Sequence, residues 1–416
     1  MESSLDTEKI MKRLPFIAVL ALLSSLASAQ QNRIDVIGDA APPLAQFGDY
    51  PVGVRTIEAV SPDRIDILNT PRGGETAYYD RKLTLEVWYP ADLQGQEPGT
   101  QYQAITRNPE ITATLHGSAV RDAQPYYQDG PYPLLIISHG YPGNRYLMSH
   151  TGENLASKGY VVVSIDHLDS TYDDQQAFAS TLYNRPLDQR FVLNTLAYIS
   201  GQSDGVFSEL IDAEKTGVIG YSMGGYGLLN NLGAGYNEEI VGGFMAPPNG
   251  LLEEHATSNP EFRGNLDSRI KAGFAIGPWG MNAGFWQAED LAGIEIPTFY
   301  LAGDEDSVAG YENGAQAIFN AAISSDRYLL TLLGAGHNAG APMTVPVELD
   351  NAENEEAAGH YRDANWENLV MNNIMDHYVT AWFDSHLKGI DRQAALSAVP
   401  AGYEDRLTLE HLSPGQ

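Results

Sequence analysis

The hexapeptide Gly220-Tyr221-Ser222-Met223-Gly224-Gly225 constrains this chain more than any other part of it. It follows the apolar run Thr216-Gly217-Val218-Ile219 and precedes a stretch, Met223–Asn231, that reads as a helix. A serine in so tight a strand-to-helix turn needs glycine on both flanks, because side chains there would collide with neighbouring backbone. The turn lifts the hydroxyl above the end of the strand and aims a helix N-terminus at it, where developing negative charge is favoured. A glycine-rich connector without chemistry is the bland alternative. The order strand, serine, helix favours a serine presented for reaction.

Around this turn the chain alternates. Buried strands are expected over 134–137, 160–165, 216–219 and 298–302, each closing on or just before Gly, Ser or Asp, with less sharp runs over 271–276 and 328–333. Helical patterns fall over 149–158, 186–199, 223–231, 311–322 and 365–387. Strand alternating with helix specifies the α/β class, a mostly parallel central sheet with helices on both faces. The alternating run 83–89 would start that sheet as an antiparallel edge. Residues 101–128 and 240–267 fit no clean period and read as insertions over the carboxyl edge of the sheet, where ligand sites form; the second is a candidate lid. No linker, repeat or low-complexity tract interrupts the chain, so one domain over 30–416 is expected, with an N-terminal extension over about 30–130.

A serine hydroxyl is a weak nucleophile; it needs a base, and the base needs an orienting carboxylate. His337 stands in Gly334-Ala335-Gly336-His337-Asn338, just past the last expected strand, and its small neighbours permit a loop that reaches back over Ser222. His360, His377, His386 and His411 fall on acidic or helical stretches and read as surface or packing residues. The loop after 298–302 offers Asp304, Glu305 and Asp306, which could also form a solvated acidic turn or a calcium loop.

A tetrahedral intermediate would need two backbone donors for its oxyanion. One is the amide of Met223, directly after the serine; the other is that of Tyr141, in Ser138-His139-Gly140-Tyr141-Pro142, where the glycine lets a substrate oxygen approach. Trp279, beyond the run 271–276, would wall the substrate together with Tyr141, or simply bury area. The acidic residues Asp166, Asp169, Asp173 and Asp174 match no calcium-loop spacing and read as solvated.

These motifs together resemble the platelet-activating-factor acetylhydrolase and dienelactone-hydrolase-like branch of the α/β-hydrolases, and are similar to bacterial polyester hydrolases of the cutinase type. The resemblance runs from about Tyr132 to His337 and is carried by Ser138-His139-Gly140-Tyr141, by Leu155 to Val163, by the serine hexapeptide, by Pro278-Trp279, by Asp304-Glu305-Asp306-Ser307-Val308-Ala309 and by Gly336-His337-Asn338. It implies the α/β-hydrolase fold, whose catalytic residues follow in the order serine, acid, histidine. In the polyester hydrolases the acid stands before Ser-(Ile/Val)-Ala, which here is Asp306, so the implied triad is Ser222, Asp306 and His337. Dienelactone hydrolases use a cysteine, which this chain lacks. Animal acetylhydrolases place the acid at a position near Gly277, where this chain has no carboxylate. Polyester hydrolases are also shorter, without the long N-terminal and 240–267 segments.

Composition narrows the setting. The chain has no cysteine, which excludes disulfides, thiol chemistry and zinc–thiolate sites. A net charge of −30 disfavours nucleic acid and anionic membrane surfaces. Lys12 and Arg13, an apolar run over 14–26 and Ala27-Ser28-Ala29 read as a bacterial secretory signal over 1–29, cut before Gln30, with Met11 as an alternative start. The expected protein is an exported, periplasmic or secreted serine carboxylic-ester hydrolase with no cofactor and no metal. Its substrate would be a small acyl ester, a lipid or a polyester. Two rivals stand beside it: an amidase or peptidase, which would share every residue named, and a non-catalytic ligand-binding protein on the same scaffold, whose hallmark would be a missing triad member, and none is missing.

Overall fold

The computed structural model describes residues 32–176 and 178–416. The expected signal over 1–29 and its cleavage point lie outside the described residues. In chain order the strands are β1 (Val52–Ile65), β2 (Tyr78–Asp92), β3 (Gln101–Ile105), β4 (Thr112–His116), β5 (Val120–Arg121), β6 (Gln124–Pro125), β7 (Tyr132–Ser138), β8 (Val161–Asp166), β9 (Ile211–Tyr221), β10 (Ile270–Ile276), β11 (Thr298–Gly303), β12 (Arg327–Leu332) and β13 (Leu407–Leu412). The helices that matter for the site are α1 (Ser149–Ala156), α2 (Phe178–Ser200), α3 (Met223–Asn231), α4 (Gln316–Ala321) and α5 (Asn368–Phe383).

One large sheet runs in the order β13-β12-β11-β10-β9-β7-β8-β2-β1-β5, with β6 paired to β2. The six strands from β12 to β8 are mutually parallel. Period-2 alternation sends their side chains to two cores. From β7, Leu135 and Ile137 join α1 and α5 on one face. Leu134 and Ile136 join α2, α3 and α4 on the other. Helices on both faces are therefore a consequence of strands whose central residues are buried on both sides. The carboxyl ends are nearly flush, with Ser138 opposite Gly220 and Ile276 opposite both Tyr221 and Leu301. The loops that leave these ends converge on one edge.

Three details depart from the sequence reading. The strand containing residues 83–89 is antiparallel to its neighbours but lies inside the sheet, because β1 pairs with it along nearly its whole length. The expected N-terminal extension is thus partly sheet. At the far edge β13, to which no element was assigned, pairs antiparallel with β12. Helix α2 begins at Phe178, so that Pro186 lies within it rather than at its start. Proline cannot bond the carbonyl four residues back; here that carbonyl, of Leu182, accepts instead from the Tyr226 hydroxyl at 3.1 Å.

The segment 101–128 forms the β3–β4 hairpin and the short strands β5 and β6. No helix among the described residues is long and apolar enough to cross a membrane.

Candidate active site

Ser222 sits between β9 and α3 with φ 51° and ψ −112°, a conformation costing a non-glycine residue about 1–3 kcal/mol. The surroundings enforce it. The Ser222 amide donates to the Ile276 carbonyl at 2.9 Å, and the Ser222 carbonyl accepts from Trp279 at 3.2 Å and Tyr226 at 3.0 Å. The flanking glycines are a matter of space: a Cβ on Gly224 would stand 1.9 Å from the Ser138 carbonyl oxygen, and one on Gly220 2.5 Å from that of Gly224.

His337 Nε2 lies 2.9 Å from Ser222 Oγ, and His337 Nδ1 lies 2.8 Å from Asp306 Oδ2. The other carboxylate oxygen of Asp306 accepts from the amides of Val308 at 2.8 Å and Ala309 at 2.9 Å. Burial would raise the pKa of this carboxyl, but the hydrogen bond and charge of His337 and the two amides outweigh burial and hold it below its ordinary value. Of the three carboxylates in the loop, Asp304 turns away to accept from the Gly334 amide, and it and Glu305 are exposed. Gly277 has φ 46°, and a Cβ there would lie 3.3 Å from both Asp306 Oδ2 and His337 Nδ1. The position near Gly277 thus borders the same imidazole that Asp306 reaches from the next strand.

The two expected oxyanion donors flank Ser222. Met223 is the first residue of α3, where a helix amide has no partner within the helix. On the other side a Cβ at Gly140 would be 3.3 Å from Ser222 Cβ, so the residue before Tyr141 packs directly against the serine.

A buried polar layer beneath these donors carries residues that the sequence did not single out. Arg185 on α2 donates to the His139 carbonyl, and its Nη2 donates to Ser170 Oγ at 2.7 Å. One turn later Gln189 Nε2 donates to the Gly224 carbonyl at 2.9 Å. One helix face therefore holds the backbone on both sides of the serine. Between them Asp188 takes Arg81 through both oxygens at 2.8 Å and His167 Nδ1 at 3.0 Å, while His167 Nε2 meets Ser138 Oγ at 2.8 Å. Burial keeps His167 neutral, pushing it down to about 3. Burial also pulls Arg185 down to about 9 against the pull of Asp188, leaving it charged at neutral pH.

A cavity of about 330 Å³ opens above Ser222, lined by Tyr141, Pro142, Leu147, Tyr172, Val308, His337, Asn338, Glu356 and His360, among others. His360, read as a surface or packing residue, is a wall of this cavity. The expected cover over 240–267 does not line it among the described residues; those residues fold into short helical turns with Leu252, His255, Ala256 and Phe262 buried. The wall comes instead from the excursion between β12 and α5. Trp279 is also absent from the lining; its ring joins Phe178, Tyr226 and Phe285 at centroid distances of 5.4, 6.1 and 5.3 Å. Phe178 in turn meets Tyr141 at 5.2 Å. Two of the four acids read as solvated are paired: Asp166 with Arg145 and Asp169 with Arg81. Among the described residues no group of three or more His, Asp or Glu is arranged to hold a metal ion.

Comparison with known proteins places this geometry. A solved ferulic acid esterase from Streptomyces cinnamoneus superposes with a TM-score of 0.61 at 22% identity, over 91% of this chain and 99% of that one. The fold is the α/β-hydrolase fold. Residues 122–240, which include the Tyr141 loop and the serine turn, match a family described as PET hydrolase-like. Cutinase est1 of Thermobifida alba is 27% identical over 217 residues, 51% of this chain and 57% of its own length. A bis(hydroxyethyl) terephthalate hydrolase of Streptomyces coelicolor is 25% identical over 211 residues, 50% of this chain and 51% of its own. The chain is thus similar to bacterial polyester hydrolases of the cutinase type, and spans little more than half the length of these curated relatives.

Proposed function

We propose that this α/β-hydrolase is an exported serine carboxylic-ester hydrolase working through an acyl-enzyme. The observation that carries this reading is the continuous chain from Ser222 Oγ through His337 to Asp306, at 2.9 and 2.8 Å, opening on the cavity at the carboxyl edge. Ser222 Oγ attacks the ester carbonyl while His337 Nε2 takes its proton; Asp306 holds the Nδ1 proton and stabilises the imidazolium. The amides of Met223 and Tyr141 receive the oxyanion. Collapse of the tetrahedral intermediate breaks the bond to the alcohol oxygen, which leaves with the proton returned by His337. Water then attacks the acyl carbon, again deprotonated by His337, and the Ser222 ester bond breaks to release the acid. The similarity to cutinases and to a terephthalate-ester hydrolase supports esters, small or polymeric, over amides.

The test is a panel of p-nitrophenyl esters of rising acyl length, an amide of matching acyl group and a polyester film, assayed with the mature chain. Ester turnover well above amide turnover is expected. Amide turnover at least equal to ester turnover would replace this reading with an amidase.

A further inference from the structure

A second cavity of about 330 Å³ lies on the same carboxyl edge, beyond the end of β8. Lys82, Gln103, Arg145, Asp173 and Asp174 are among its walls, and Tyr172 lines both this cavity and the one at Ser222. The two differ in chemistry. The first presents Tyr141, Pro142, Leu147 and Val308 around the serine; the second presents donors and acceptors of both signs around tyrosine rings. Its polar wall is stiff on one side: Arg145 is tied to Asp166 and lies 4.3 Å over the Tyr146 ring.

We infer that this second cavity binds a polyhydroxylated alcohol, such as a sugar, carried by the ester; the inference rests on the esterase reading above. His337 Nε2 returns the proton to the departing alcohol, so the alcohol must sit beside the imidazole. There Asn338, His360 and Tyr172 line the cavity, and Tyr172 pairs at 6.4 Å with Tyr361, the residue after His360. Tyr172 is the side chain that this cavity shares with the polar one. An anionic group there would face Asp166, Asp173 and Asp174, and a simple cation would face Lys82 and Arg145. Neutral hydroxyls suit both, since each donates to a carboxylate and accepts from an ammonium or guanidinium.

The experiment compares two esters with one acyl group, one of methanol and one of a hexose primary hydroxyl. For the wild-type chain, kcat/KM should be at least about tenfold higher for the sugar ester, mainly through KM. A methyl glycoside should compete with the sugar ester. In the Lys82→Ala, Asp173→Ala double variant, both positions being exposed, the ratio of sugar to methyl ester should move toward one. Equal efficiency on both esters with the wild type, or a ratio the double variant leaves unchanged, overturns the subsite and leaves the esterase reading standing. Hydrolysis of neither ester overturns both.

Discussion

Replacing Asp306 with asparagine separates orientation of the histidine from the structure of the loop. In the native loop Asp306 Oδ1 accepts from Val308 and Ala309, while Oδ2 faces His337 Nδ1. An asparagine keeps its carbonyl oxygen toward the two amides and so presents its NH₂ to Nδ1. The imidazole must then accept at Nδ1 and carry its proton on Nε2, facing Ser222 Oγ, where it can no longer act as base. For a serine–histidine–acid arrangement this change lowers kcat by about 10⁴, which is roughly 5 kcal/mol of transition-state stabilisation. Stability should change by only about 1.5–3 kcal/mol, the range for one charged hydrogen bond. Asp306→Ala should lose about 2–6 kcal/mol, because two loop amides are left without acceptors at about 1–3 kcal/mol each. The assay is steady-state hydrolysis of a p-nitrophenyl ester beside urea unfolding. Asp304→Asn, altering an exposed side chain that bonds only the Gly334 amide, should change kcat by less than about threefold. If Asp304→Asn were crippled and Asp306→Asn near wild type, the assignment of the orienting acid would be wrong.

Other perturbations test the surroundings. Gln189→Leu frees the Gly224 carbonyl and loosens the backbone beside the Met223 amide; kcat should fall about 10–100-fold with KM within about threefold, whereas equal loss in every parameter with unfolding by circular dichroism would make Gln189 merely structural. Glu153 is buried, and burial raises it from 4.5 to about 7 against bonds from Tyr102, Ser118 and Ala119. The folded state therefore binds a proton that the unfolded state releases between those values, and the stability that protonated Glu153 contributes is fully present below about pH 4.5 and lost as pH rises to about 7. Urea midpoints at pH 5 and pH 8 should differ less in Glu153→Gln than in wild type; parallel shifts would refute this. The net charge of −30 should make kcat/KM for an anionic ester rise with added salt while that for a neutral ester stays flat, and equal salt responses would contradict it.

How much of this was legible in the sequence follows from the range of each interaction. The serine turn depends on residues 220 to 225 alone, and the collision of a Gly224 Cβ with the Ser138 carbonyl gives the glycine its reason. The parallel strands were readable because both faces are buried and the runs are continuously apolar. Choosing Asp306 over Asp304 needed a known pattern, since spacing alone leaves both open. Arg185, Asp188 and Gln189 were not visible as a group: their importance lies in the phase of α2 against two loops far away in sequence. Pro186 misled for a physical reason, because the partner that compensates it, Tyr226, is on another helix. The cavity wall at Glu356 and His360 was hidden by its acidic, aperiodic sequence, and the 240–267 segment looked like a cover for the same lack of period. Strand β13 was missed because it is short and half-exposed at the sheet edge.

The most direct measurement of the central claim is covalent. The mature chain is treated with a fluorophosphonate, its intact mass recorded, and the labelled peptide sequenced by mass spectrometry, with p-nitrophenyl butyrate hydrolysis followed in parallel. One adduct on Ser222, formed as activity disappears and absent from an inactive Ser222→Ala variant, is the predicted result. Full hydrolysis by Ser222→Ala, or labelling at another residue with loss of activity, would contradict the account.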